Sequence, residues 1–102
     1  MSRCHLFKIS ELSPGALRRV EIAGKAYCVA LAPDGQLYAI DDLCSHEEAS
    51  LSEGELIGFQ VECPQHLSRF DVRSGAVSRL PAMDPVSSYP VVVEAGEAYL
   101  EL

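Results

Sequence analysis

The feature that most limits what this chain can become is a recurrence: Cys44-Ser45-His46, then sixteen intervening residues, then Cys63-Pro64-Gln65-His66. Four metal-binding side chains within 23 residues of a 102-residue chain require a backbone that returns to one point. In extended backbone, residues i and i+2 face the same side about 6 to 7 Å apart, so Cys44 and His46 can reach neighbouring metal centres from one loop. Cys63 and His66 need a turn, which Pro64 helps to set. Structural zinc sites usually group like ligands, C-x2-4-C and then H-x3-5-H, around one tetrahedral ion. Here each pair is mixed. Two loops can then grip a two-iron cluster with both cysteines on one iron and both histidines on the other. A zinc-stabilised interaction module is the competing use of the same four residues.

The rest of the chain reads as strands. Apolar and β-branched segments separated by turn signals at short intervals predict an all-β domain of six or more strands. Strands are expected at 5–9, 17–22, 25–31, 36–40, 59–62, 69–72, 89–94 and 97–102, with turns at SPG (13–15), AGK (23–25), PDG (33–35), RSG (73–75) and AGE (95–97). The stretch RLPAMDPVSSYP, 79–90, carries three prolines that a central strand cannot hold, and reads as a rigid extended loop. SLSEGEL, 50–56, is the one weak helical candidate and is read as a turn.

Charge and length narrow the roles. A formal net charge of -7 repels phosphate backbones and anionic membrane surfaces, which argues against nucleic-acid and membrane partners. The longest apolar run, 26–32, is too short to cross a bilayer, and the N-terminus has no secretory signal. A cytoplasmic location is expected, and in that reducing compartment four cysteines favour metal or redox chemistry over a disulfide framework. Asp41, Asp42, Glu47, Glu48, Glu53, Glu55 and Glu62 crowd around the Cys/His pairs, as either a solvated face or a docking surface. Cys28, within YCVAL, reads as a small buried hydrophobe. Cys4 and His5 read as edge or surface residues, and Arg69, Arg73 and Arg79 as structural cations.

CSH at 44–46 and CPQHLSRFDVRSG at 63–75 resemble the two cluster-binding loops of Rieske-type ferredoxins. LPAMDP at 80–85 resembles that family's proline-bearing third loop, and YPVVVEAGEAYLEL its closing hairpin; residues 1–40 match in strand pattern only. The resemblance implies an all-β fold, a Rieske-like antiparallel β-sandwich basal domain at about 1–40 and 83–102 with a small cluster-binding subdomain inserted at about 41–82. It also implies one [2Fe-2S] cluster per chain held by Cys44, His46, Cys63 and His66, with Ser68, Gln65 and Pro81 beside it and the two histidines as the exit for the electron. A segment of some forty residues cannot sustain a core alone, so the cluster is expected to staple it.

Departures from the family carry information. Where respiratory Rieske proteins place two more cysteines in a disulfide, this chain has Ala49 and Gln65. Phe70 stands at the position of a tyrosine that donates a hydrogen bond, and Leu67 where a glycine often follows the second histidine. Two thiolates and two neutral imidazoles leave the oxidised centre with no net charge and the reduced one at -1, so it reduces more readily than a four-thiolate cluster. Rieske centres span about -150 to +300 mV. Lacking the disulfide and the tyrosine, and ringed by carboxylates, this one is expected at the low end.

By the same resemblance the chain is a monomeric one-electron carrier, similar to the ferredoxin component of multicomponent aromatic-ring dioxygenases. It would take electrons from an NADH-dependent flavin reductase and pass them to a terminal Rieske non-haem iron oxygenase. An oxygenase role for the chain itself would need two further histidines and a carboxylate for a mononuclear iron, and only three histidines exist, two of them committed. A third reading is a small Rieske-fold subunit of a nitrite reductase or another oxidoreductase complex. Such subunits commonly lack the cluster ligands, and here all four are present.

Overall fold

The computed structural model describes residues 3–45, 48–65, 67–80 and 84–102. Among them are eleven strands: β1 (Arg3–Lys8), β2 (Leu17–Ile22), β3 (Lys25–Leu31), β4 (Leu37–Asp41), β5 (Glu55–Ile57), β6 (Gln60–Glu62), β7 (Arg69–Asp71), β8 (Val77–Arg79), β9 (Ser88–Tyr89), β10 (Val91–Glu94) and β11 (Glu97–Glu101). They form three antiparallel sheets in the orders β1-β11-β10, β2-β3-β4-β9 and β5-β6-β7-β8.

The apolar run 26–32 is explained by its place in the middle of this arrangement. Alternate residues of a strand point to opposite faces. In β3, Tyr27, Val29 and Leu31 join one core while Cys28 and Ala30 join another. A strand buried on both faces needs apolar residues at every position rather than at every second one. On the first face, Phe7 of β1 and Ala98 and Leu100 of β11 close over Val29, Leu37 and Ala39. On the second, Val61 of β6, Phe70 of β7 and Leu51 close over Cys28, Ala30 and Ile40. The β5–β8 sheet therefore has no private core. It borrows the underside of the middle sheet, so packing as well as any cluster holds it in place.

Two hairpins use two-residue turns in which both residues have positive φ: Ala23 (53°) with Gly24 (82°) between β2 and β3, and Ala95 (51°) with Gly96 (77°) between β10 and β11. That conformation matches strand twist and is natural for glycine, but costs an alanine steric energy.

Three expectations need correction. The 50–56 stretch is more than a turn: Leu51–Glu53 forms a 3-10 helix, and Glu55–Ile57 is strand β5. The 79–90 stretch is not loop throughout, because β8 runs to Arg79 and Ser88–Tyr89 pairs with β4. The strand expected at 89–94 is divided at Pro90, which has no N–H to give. There the chain leaves the middle sheet as β9 and enters the outer one as β10, while the Pro90 carbonyl accepts from the Glu101 N–H at 3.0 Å.

Candidate metal centre

Cys44 and Cys63 occupy the same position in two hairpin loops. The Cys44 N–H donates to the Ala49 carbonyl at 3.0 Å, and the Cys63 N–H to the Ser68 carbonyl at 2.7 Å. Each bond spans five residues. Just outside each ring lies an antiparallel pair, Leu43 with Ser50 for the first loop and Glu62 with Arg69 for the second. A cysteine at the mouth of such a loop has its backbone fixed and its side chain directed by the ladder. Both are buried, with 4% and 0% of their surface exposed, and both belong to the core that contains Cys28, Ile40 and Phe70.

From these buried mouths the chain reaches the surface within a residue or two. Ser45, Pro64, Gln65 and Leu67 are exposed, and Leu43, Leu67 and Leu80 are among the exposed large hydrophobic residues. Ser68 is wholly buried and closes the second loop. His46, His66 and Pro81 lie outside the described residues, as does Glu47. Among the described residues no three His, Cys, Asp or Glu side chains converge, so the two thiols are the described half of the expected ligand set.

The first loop is braced at its base by Asp42, a carboxylate only 3% exposed. It accepts from the Ser50 hydroxyl at 2.5 Å and the Ser52 N–H at 2.9 Å, and lies 3.3 Å from Nε of Arg19 on β2. The neighbouring Asp41 ties down the segment that follows the third loop. It accepts from the Ser87 N–H at 3.0 Å and the Tyr89 hydroxyl at 2.6 Å, with the Lys25 ammonium 3.0 Å away. Burial works against the Asp41 carboxylate, but the hydrogen bonds from Tyr89 and Ser87 and the Lys25 charge together hold it below the ordinary carboxylate range. The Ser45 hydroxyl also bonds the Asp84 carbonyl at 2.5 Å, joining the first loop to the third.

Two glycines make this approach possible. A Cβ on Gly54 would lie 1.8 Å from the Glu62 carbonyl oxygen, immediately before Cys63; one on Gly75 would lie 1.9 Å from the Val86 carbonyl oxygen, just after the third loop. Phe70, expected to leave the cluster without a tyrosine donor, is fully buried beside the cysteines. Leu67 has φ of 59°, so the residue that replaces a glycine sits in the region glycine favours. Cys28 is buried as read, with none of its surface exposed, and desolvation, aided by the Asp42 charge, pushes its thiol far up. Cys4 and His5 lie on edge strand β1, where His5 meets Glu97 at 2.6 Å.

The acidic belt is less uniform than it reads in sequence. Lys25 faces Asp41, Arg19 faces Asp42, and Arg69 and Arg79 face Glu62 at 3.0 and 3.6 Å. Arg73 is likewise structural, paired with Asp71 at 2.8 Å and lying over the Phe59 ring. Glu48, Glu53 and Glu55 are exposed, and among the described residues they have no ion-pair partner. The signal that sequence reading missed is Asp42, which in the sequence is one acid among seven.

The chemistry of the described donors suits an iron–sulfur group. Two buried thiols, each beside a backbone bond that closes its loop, offer soft ligands in a dry setting, which is what such clusters take. Known proteins point the same way. The p-cumate 2,3-dioxygenase system ferredoxin component of Pseudomonas putida is 42% identical over 97 residues, covering 90% of this chain and 79% of that protein. The 3-phenylpropionate/cinnamic acid dioxygenase ferredoxin subunit of Photorhabdus laumondii is 43% identical over 98% of this chain and 94% of its own. A chain in the solved complex of reduced oxygenase and oxidized ferredoxin of carbazole 1,9a-dioxygenase superposes with a TM-score of 0.90 at 37% identity, covering 95% of this chain and 99% of that one. A putative NADH-dependent nitrite reductase small subunit from Mycobacterium tuberculosis, with a TM-score of 0.87 at 20% identity, shares the fold alone. The model of the Rieske [2Fe-2S] domain matches residues 2–90, and with a match over so much of its length the chain belongs to the Rieske [2Fe-2S] domain family.

Proposed function

We propose that this chain is a one-electron carrier, the ferredoxin component of an aromatic-ring dioxygenase system. In this reading Cys44, His46, Cys63 and His66 hold one [2Fe-2S] cluster, Ser68, Gln65 and Pro81 lie beside it, and residues 41–82 act as the inserted cluster-binding subdomain. The single observation that carries the reading is the equivalence of the two buried cysteines, each fixed by its own N–H at the mouth of a closed loop. When bound, the cluster supplies a one-electron couple. The chain's own part is to fix the ligands, keep the thiol side dry and bring the loop tips to the surface, where a partner can approach closely.

The partners are a flavin-dependent, NADH-linked reductase and a terminal Rieske non-haem iron oxygenase, and the carrier works as a cytoplasmic monomer. Support comes from the ferredoxins named above, one of them in complex with its oxygenase. No helix among the described residues is long and apolar enough to cross a membrane. The nitrite reductase alternative rests on fold likeness without any further observation. With Phe70 offering no hydroxyl and Ala49 and Gln65 no disulfide, the midpoint potential belongs at the low end of the Rieske range. The test is a reconstituted relay from reductase to oxygenase. His46→Ala and His66→Ala abolish both cluster and relay; a relay that survives either substitution contradicts the assignment, and a midpoint above zero contradicts the ordering of potentials.

A further inference from the structure

We propose that Asp42 is a positioning residue of the metal centre, clamping the base of the first ligand loop and setting, against Arg19, part of the electrostatic potential at the cluster. The inference rests on the ligand reading above and deepens it.

Geometry makes the clamp. Asp42 precedes the loop, and Ser50 and Ser52 follow it; the one carboxylate accepts from both, while the Asp42 carbonyl accepts from the Leu51 N–H at 2.7 Å. These contacts set a second ring outside the Cys44-to-Ala49 bond, so the backbone entering and leaving the loop is tied to one buried charge. Solvent barely reaches that charge, and its field acts through the core rather than through water, where it would be weak. Burial first, and this charge after it, push up the thiol of Cys28, which packs in the same core as Cys44 and Cys63. The compensating Arg19 is different: its side chain is 48% exposed and also meets Glu21 at 3.3 Å, so water screens much of its opposing field. The pair is therefore electrically lopsided, with a net negative influence on the core. Reduction adds one negative charge to the centre, and a fixed negative charge two residues from a ligand disfavours it.

The test separates charge from shape. Asp42→Asn keeps an acceptor for the Ser52 N–H but removes the charge; Arg19→Gln leaves the carboxylate in place and removes its partner. The midpoint of the purified iron-loaded protein is read by protein-film voltammetry, with iron content and the paramagnetic resonance spectrum of the reduced protein in parallel. Asp42→Asn should favour reduction at least threefold, about 28 mV upward at 59 mV per tenfold. Arg19→Gln should move it downward by less, and the double variant should fall between. A clamp also predicts broadened resonance lines for Asp42→Ala that Asp42→Asn restores. Equal-sign shifts in the two single variants, or midpoints unchanged in both with full iron content, overturn the proposal. If Asp42→Asn does not load iron, Arg19→Gln alone decides: a downward shift supports the proposal and no shift refutes it. A wild-type protein without a Rieske spectrum would instead refute the ligand reading.

Discussion

Gly54→Ala probes how tightly the fold supports the second ligand loop. Gly54 ends the 3-10 turn with φ of -86° and ψ of -151°, so its backbone is open to any residue and the substitution is a matter of space. The added Cβ would sit 1.8 Å from the Glu62 oxygen, where real Cβ atoms stay beyond 3.0 Å, and something must retreat by more than an ångström. The obstacle cannot swing away. Glu62 is a backbone carbonyl in β6, paired with Glu55 on one side and Arg69 on the other, and the next residue is Cys63. Overpacking costs about 1 to 3 kcal/mol and a weakened ladder bond roughly 1 kcal/mol more. A loss of about 3 kcal/mol follows, a large share of the roughly 5 to 15 kcal/mol that holds a domain together. Gly58→Ala is the control: its φ is 62° with open space around it, so only about 1 kcal/mol of left-handed strain applies. Urea denaturation followed by circular dichroism, with iron per chain measured on the same samples, reads both effects. Gly54→Ala should lose about three times as much stability as the control and should also lose iron. A Gly54→Ala protein within about 0.5 kcal/mol of wild type, with full iron, would refute the argument that this close approach supports the loop.

Other consequences are open to direct measurement. Ala23→Asn and Ala95→Asn place a residue that tolerates positive φ in the two hairpin turns, and each should raise stability by about 0.5 kcal/mol in urea melts; no gain from either would mean the turns are not strained. The Asp71 carboxyl is held below its ordinary value by the Arg73 guanidinium, against the pull of burial. A depressed folded pKa contributes stability above the unfolded value of about 3.9 and loses it as pH falls through the lower folded one. Asp71→Asn should therefore cost stability at pH 7, and its gap from wild type should close as pH drops below 4; a gap independent of pH would remove the charge from the explanation. Chelating the iron should expose backbone amides in 41–82 to exchange while β3 and β4 stay protected, and uniform protection would contradict a stapled segment.

Much of this was legible in the chain because the relevant rules are local. The turns AGK and AGE, the strand expected at 97–102, and the mixed Cys/His pairs all depend on residues close in sequence. Features that depend on partners far away were not. Strand β5 was hidden because Glu55, Leu56 and Ile57 show almost no alternation and become a strand only by pairing with β6. The unbroken apolar run 26–32 is what a strand buried on both faces needs, but it does not say which elements cover each face. Asp41, Asp42 and Glu62 looked like free acids until the fold brought Lys25, Arg19, Arg69 and Arg79 to them. The loop closures at Cys44 and Cys63 are backbone bonds, which no side chain announces.

In the proposed function, two equivalent loops hold one two-iron cluster through Cys44, His46, Cys63 and His66. Iron and acid-labile sulfide, counted per chain in the wild type and in the four single alanine variants, test it most directly. Two irons and two sulfides are expected in a red-brown wild-type protein, with loss of the intact cluster in every variant. Zinc in place of iron, or a full complement of iron and sulfide in any one variant, would contradict it.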